Sequence, residues 1–223
     1  MVAGAVLPFD KPYGWSSFDA IRYVQRIIRK KADGEKFKIG HAGTLDPLAT
    51  GLLLICIGKA TKQAESLQAE QKEYVADVCF GATTASYDLE TEPIAVPNAP
   101  AVAREQLENQ LQKMLGEQQQ MPPNFSAKQI DGQRAYTLAR KGVDVNVKPS
   151  FINIYDLQLL SFEYPYARIL VRCSKGTYIR SLANDLGISL KSSAYLCGLR
   201  RTASGNFTIN QSVNIEQLDI FLQ

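Results

Sequence analysis

The stretch GHAGTLDPLATGLLLICIGKATK, Gly40 to Lys62, decides how the rest of the chain is read. Its first half, Gly40 to Gly51, holds three glycines, an acid followed by a proline, and the chain's one histidine. Its second half opens with the apolar run Leu52 to Ile57, which reads as a buried strand and is far too short to span a bilayer. Glycines leave the backbone free to take unusual dihedrals and let another molecule approach closely. Pro47 removes a donor and biases Asp46 toward an extended conformation. Two readings of Asp46 follow. It is an ordinary turn residue, since Asp before Pro favours turn initiation, or it is a carboxylate held in one direction, suited to act as nucleophile or base.

Composition bounds the choice. The 223 residues are 45% hydrophobic, enough to fill a sizeable core. A net charge of +3 permits nucleic-acid binding only if the basic surface is local. The N-terminal MVAGAVLPFDKPYG has no positive start and meets Asp10, Lys11 and Pro12 too early for a signal peptide, so a cytoplasmic protein with no membrane partner is expected. Cys56, Cys79, Cys173 and Cys197 stand singly in apolar stretches without a CxxC pair, which points to buried thiols and to no metal site.

Working outward, Ser16 or Ser17 caps a predicted helix through about Lys31, with Phe18, Ile21, Val24 and Ile28 at helical spacing. Its other side carries Arg22, Arg26, Arg29 and Lys30, and Lys31, Lys36 and Lys38 lead on to Gly40. That face is either solvated charge or a track for backbone phosphates. Glu73 to Phe80 reads as a strand, and GATTASYDLETEP after it as a polar surface loop. Leu107, Leu111 and Leu115 mark a helix closed by Gly116. A short strand, an Asp-Gly turn and a short helix ending at Gly142 follow. Phe151 to Phe162 and Arg168 to Cys173 read as paired strands, Thr177 to Leu186 as a helix with Gly187 behind it, and Tyr195 to Arg201 as a strand. Strand pairs mixed with helices predict an α+β fold around a mixed, largely antiparallel central sheet with flanking helices and loops.

The residues then carry a family resemblance. The Gly40 to Lys62 stretch resembles the catalytic segment of the TruB family of bacterial tRNA pseudouridine-55 synthases. So do LPFDKPYGWSS, KEYVADVCFG, PPNFSAKQIDGQRAYTLARKG, RCSKGTYIRSLANDLG and YLCGLRRTASG, in family order over nearly the whole chain. The resemblance implies the pseudouridine synthase fold and an isomerisation without cofactor or metal. Uracil is detached from its ribose at the glycosidic nitrogen, turned, and rejoined to the same ribose carbon through ring carbon five. It makes Asp46 the catalytic aspartate, paired with Arg180, and Tyr74 an active-site tyrosine that stacks on uracil and helps remove the ring-carbon proton. Tyr178 and Leu199 become pocket walls, and His41 sits against the flipped nucleotides. On residue type alone, Tyr74, Tyr178 and Leu199 also read as core packing, His41 as a loop histidine bonded to backbone, and Arg180 as a solvent-facing helix charge. Lys11 frames the site and is a candidate phosphate contact, or else a surface lysine.

The resemblance also implies a tRNA partner gripped by its T-arm, and a monomer without guide RNA. Residues 1–210 are expected to form the catalytic domain and 211–223 a tail, with Ile215 to Leu222 a short helix, and no C-terminal PUA domain. An RNA-binding folding helper would use the same basic surface, and a nucleoside hydrolase would use Asp46 with a second acid or a metal. Asp46, Tyr74 and Arg180 together distinguish the isomerase from the helper, and the lack of a second acid or metal spacing near Asp46 distinguishes it from the hydrolase.

Overall fold

A computed structural model describes residues 4–31, 36–123, 125 and 148–220, with the backbone of 129–130 and 133–134. The strands are β1 (Ala5–Lys11), β2 (Ile39–Ala42), β3 (Ala49–Ile57), β4 (Lys72–Phe80), β5 (Ala82–Thr83), β6 (Ile94–Ala95), β7 (Gly116–Gln120), β8 (Gln129–Ile130), β9 (Gln133–Arg134), β10 (Ser150–Glu163), β11 (Tyr166–Cys173), β12 (Ala194–Ser204) and β13 (Phe207–Thr208). The helices are α1 (Ser17–Lys31), α2 (Ala64–Ala69), α3 (Arg104–Lys113), α4 (Ile179–Ser189) and α5 (Ile215–Ile220). Two compact units divide them: Met1–Val75 with Leu199–Gln223, and Ala76–Gly198. Residues of β4 and β12 belong to both. The α+β class expected from the sequence is the one observed.

In the first unit β3 is the central strand. β1 runs antiparallel along one edge, from Ala5↔Ile57 to Lys11↔Gly51. The other edge is shared: β12 pairs parallel with its start, Leu199↔Ala49 to Arg201↔Gly51, and β2 antiparallel with its end, Ile39↔Ile57 to Ala42↔Leu54. A strand paired on both edges and covered on both faces needs a continuous apolar run rather than alternation, and Leu52, Leu53, Leu54, Ile55 and Cys56 are wholly buried. Leu52, Leu54 and Cys56 pack with Ala42 and Ala60, flanked by Val6, Leu67 and Phe207.

Of the two candidate serines, Ser16 caps α1. The Asp19 amide donates to Ser16 Oγ at 3.1 Å and the Ser16 amide to Asp19 Oδ2 at 3.0 Å, a reciprocal cap. The buried face is Ser17, Ala20, Ile21, Val24 and Ile27, and Phe18 is 62% exposed. The apolar stripe read through Phe18 and Ile28 is therefore displaced. The inner face is centred on Ser17, and the next residue points about 100° away around the helix. The short helix expected near the C-terminus is α5, where Leu218 is buried and Tyr23 Oη donates to Asp219 Oδ1 at 2.6 Å.

In the second unit the strand order is β7-β10-β11-β4-β12. β10 is antiparallel to β7 and to β11, the latter from Ile154↔Cys173 to Glu163↔Tyr166. Leu111 and Met114 from around α3, with Ile179, Leu182 and Leu186 of α4, enclose a core with Ala76, Val78, Leu157, Ile169 and Val171. β8 and β9 form a two-residue ladder flanking 131–132, and the helix read up to Gly142 lies outside the described residues.

Three expectations are corrected here. α4 continues through Gly187 to Ser189, because that glycine serves a close approach rather than a cap: a Cβ on it would overlap the backbone nitrogen of Ala194. α3 ends at Lys113, leaving Leu115 outside it and 38% exposed. The polar segment 81–93 is not simply a surface loop, since Thr84, Ser86 and Asp88 are buried. Among the described residues no helix is long and apolar enough to cross a membrane.

Candidate active site

In the first unit, Asp46 is half-buried in the turn between β2 and β3, and the backbone on either side of it is fixed. Before it, the Leu45 amide donates to Ser17 Oγ at 2.8 Å and Ser17 Oγ donates to the Leu45 carbonyl at 3.1 Å. After it, the Pro47 carbonyl accepts from the Gly14 amide at 2.9 Å and from Lys11 Nζ at 3.4 Å. The Asp46 carbonyl itself accepts from the Ala49 amide at 3.1 Å.

Lys11 has no exposed surface. Its ammonium also donates to the carbonyls of Trp15 at 2.6 Å and Pro12 at 3.1 Å. The phosphate contact read for Lys11 is corrected accordingly, because a wholly buried cation spent on backbone carbonyls holds a turn and cannot reach a ligand. Burial lowers its pKa to about 8, while the Asp46 carboxylate pulls it back up. The two charges therefore feel each other.

Arg201 closes the same loop from the other side. It is 1% exposed, donating from Nε to the Leu52 carbonyl at 2.6 Å and from Nη2 to the Gly43 carbonyl at 3.2 Å. Gly51 has φ +99°, and a Cβ there would overlap the Arg201 carbonyl oxygen, so both its conformation and its packing demand glycine. His41, on β2 opposite Ile55, is half-buried with Nδ1 shielded and, among the described residues, without a hydrogen-bond partner. Burial first, and the Arg201 charge second, lower its pKa, so the imidazole is neutral near pH 7.

Tyr74 is 8% exposed on β4. Leu199 is half-buried and in register with Ala49, three residues after Asp46, and its carbonyl accepts from Thr50 Oγ1 at 3.4 Å. Arg22, Arg26, Arg29 and Lys30 are all exposed on α1. Two of them are braced: Arg22 pairs with Asp19 at 2.6 Å and stands 5.1 Å from the Phe18 ring centre, and Arg26 lies 5.4 Å from that of Tyr23.

Arg180 and Tyr178 belong to the second unit. Arg180 is 4% exposed, so it is not a solvent-facing helix charge. Its guanidinium lies 3.5 Å from Asp88 Oδ2, and donates to the carbonyls of Phe125 at 3.0 Å and Ser86 at 3.3 Å. Asp88 also accepts from the Glu90 amide at 3.0 Å, which turns the segment inward. Tyr178 is half-buried, and its backbone is gripped by buried Gln120, which accepts from its amide at 2.8 Å and donates to its carbonyl at 3.0 Å.

The TruB family pseudouridylate synthase N-terminal domain matches residues 27–179. A tRNA pseudouridine synthase B of Parabacteroides distasonis is 46% identical over 222 residues, covering 100% of this chain and 94% of the relative. One from Bacteroides fragilis is 48% identical over 211 residues, covering 95% and 91%. The chain belongs to the TruB family. It is accordingly a pseudouridylate synthase, an isomerase. A chain solved in a Cbf5-Nop10-Gar1 complex has a TM-score of 0.74 and 26% identity, covering 97% of this chain and 54% of its own length, so this chain spans about half of that solved one.

Within this TruB chain, reading the sequence missed Arg201, the hold of Ser17 on Leu45, Gln120 and Asp88. Arg201 lies in the quoted YLCGLRRTASG, where nothing separates a buried arginine from its half-buried neighbour Arg200, whose side chain is 43% exposed and pairs with Asp10 at 2.7 Å. Asp88 stands in a polar run with no periodicity to mark it. Among the described residues no cluster of histidine, cysteine and carboxylate groups could hold a metal ion. The first unit thus presents the Asp46 carboxylate on a turn whose backbone is held, close enough to buried Lys11 for their charges to interact.

Proposed function

We propose that this TruB-family enzyme converts uridine-55 in the T-loop of tRNA to pseudouridine, with Asp46 as the catalytic group. The observation that carries the reading is the fixed turn: Leu45, Asp46 and Pro47 each have their backbone tied by hydrogen bonds, while the carboxylate stands beside buried Lys11. The naming of its close relatives as tRNA pseudouridine synthases supports the substrate.

In this reading the bond from ribose C1′ to uracil N1 breaks with Asp46 acting at the sugar. The base turns, C1′ bonds to C5, the C5 proton leaves, and N1 ends protonated, so atoms balance without water or a redox partner. Tyr74 stacks on the base and relays the C5 proton. Arg180, Tyr178 and Leu199 also serve the reaction, and neutral His41 props the flipped loop open. Arg22, Arg26, Arg29 and Lys30 hold phosphates. The enzyme acts in the cytoplasm as a monomer and without a guide RNA.

Mass-spectrometric mapping of pseudouridine in an unmodified tRNA transcript, with Asp46→Asn in parallel, tests the reading. T-loop pseudouridine from the wild type alone is the expected result. Binding of the transcript without product would leave an RNA-folding helper in its place.

A further inference from the structure

α1 turns its small residues inward and its largest apolar one outward. Ser17 and Ala20 are buried, whereas Phe18 is 62% exposed. A helix whose outer face served only to be solvated would gain nothing from that exchange. The Phe18 ring is not idle: the Arg22 guanidinium stands 5.1 Å from its centre and is tied to Asp19 at 2.6 Å. Phe18, Arg22, Arg26 and Arg29 follow one another at helical spacing, forming one exposed stripe roughly 16 Å long, with Lys30 beside it. The stripe starts at the catalytic turn, because the same first turn of α1 holds Leu45 through Ser17, and Gly14 just before it holds Pro47.

We propose that Phe18, braced by Arg22, is a stacking platform for an unpaired base of the RNA substrate. Arg26, Arg29 and Lys30 carry the adjoining phosphates away from the Asp46 turn. A flat apolar ring continued by exposed cations matches the two parts of a single-stranded nucleic acid, its base faces and its backbone charge. The inference rests on the RNA-modifying reading above. It adds a subsite that the sequence hides, since spacing alone assigns Phe18 to the core.

Binding of an unmodified tRNA transcript across a salt series, with melting temperature and single-turnover rate at saturating enzyme, tests it. Phe18→Ala is expected to weaken binding about tenfold without changing the salt slope, the melting temperature or the saturated rate, and Phe18→Trp to restore affinity. The double variant Arg29→Gln, Lys30→Gln should lower the slope of log K against log salt by about 1.4 to 1.8. Phe151→Ala, which removes an 81% exposed ring in the other unit, is the control and should change nothing. Phe18→Ala within twofold of wild-type affinity would overturn the platform, as would a loss of affinity that Phe18→Trp fails to restore. Wild-type product formation together with an unaffected Phe18→Ala defeats the platform alone; RNA binding that depends on Phe18 without any product defeats only the catalytic reading.

Discussion

Ser17 Oγ stands between the amide and the carbonyl of Leu45, accepting at 2.8 Å and donating at 3.1 Å, so a helix serine completes the backbone bonding of the residue before Asp46. Removing it leaves a buried amide and carbonyl without their partner, a cost of about 1–3 kcal/mol. Ser17→Ala should lose that stability and also turn over more slowly, since the turn carrying Asp46 loosens. Ser16→Ala removes only the cap, at about 1 kcal/mol, with turnover kept. Denaturant melts and single-turnover rates on the same samples separate the two; equal rates for both variants would mean the Ser17 bond does not position Asp46.

The chain has one histidine, so a single imidazole resonance reports His41 directly. Burial and the Arg201 charge depress its pKa below 6.5. A group depressed in the folded state costs stability as pH falls through and below its unfolded value, because the unfolded chain takes up a proton that the folded chain resists. Proton NMR titration should give a midpoint under 6.5, and Arg201→Gln should move it upward without bringing it fully back, since burial remains. A midpoint at or above 6.5 in the wild type would contradict the shielded, unpartnered Nδ1.

Lys11 follows the same sign in a more alkaline window. Its pKa falls from 10.5 to about 8 on folding, mainly through burial. Between those values the unfolded chain binds more protons, so the Lys11 contribution to stability rises with pH from about 8 to 10.5. The cost of the buried cation is fully present below about 8. Unfolding free energies at pH 7.5 and 10 should therefore converge less in Lys11→Met than in wild type, the difference isolating this group from the tyrosines and cysteines. Asp46→Asn removes a charge that favours the ammonium, and should start the rise at lower pH.

Asp88 balances the buried Arg180 guanidinium at 3.5 Å. Asp88→Ala removes the carboxylate facing that buried charge, and loss of one partner of a buried pair costs about 3–5 kcal/mol. Differential scanning calorimetry should show a large fall in melting temperature, with Asp88→Asn intermediate. A change within experimental scatter would show that the carbonyls of Ser86 and Phe125 suffice for Arg180.

The sequence was legible where one local rule governed. The run Leu52 to Ile57 read as a buried strand and is one, and glycine at 51 and proline at 47 marked a constrained backbone around Asp46 before any partner was known. It misled where neighbours outside the window set the outcome. Phe18 has the spacing of a core residue yet faces outward, because Ser17 is drawn in by Leu45, a residue 28 positions away. Gly187 resembles a helix stop yet sits inside α4, because the chain at Ala194 passes against it.

By itself, then, the sequence determined the α+β class, the family, and the identity of the acid on its glycine-flanked turn, since these depend on residue types and short-range order. The tertiary structure decided which charges are buried and what they serve: Lys11 and Arg201 as staples on backbone carbonyls, Asp88 as the partner of Arg180, and His41 as a neutral ring. A lysine or arginine reads the same in sequence whether it meets water or a carbonyl 36 or 158 residues away, and only long-range packing distinguishes the two.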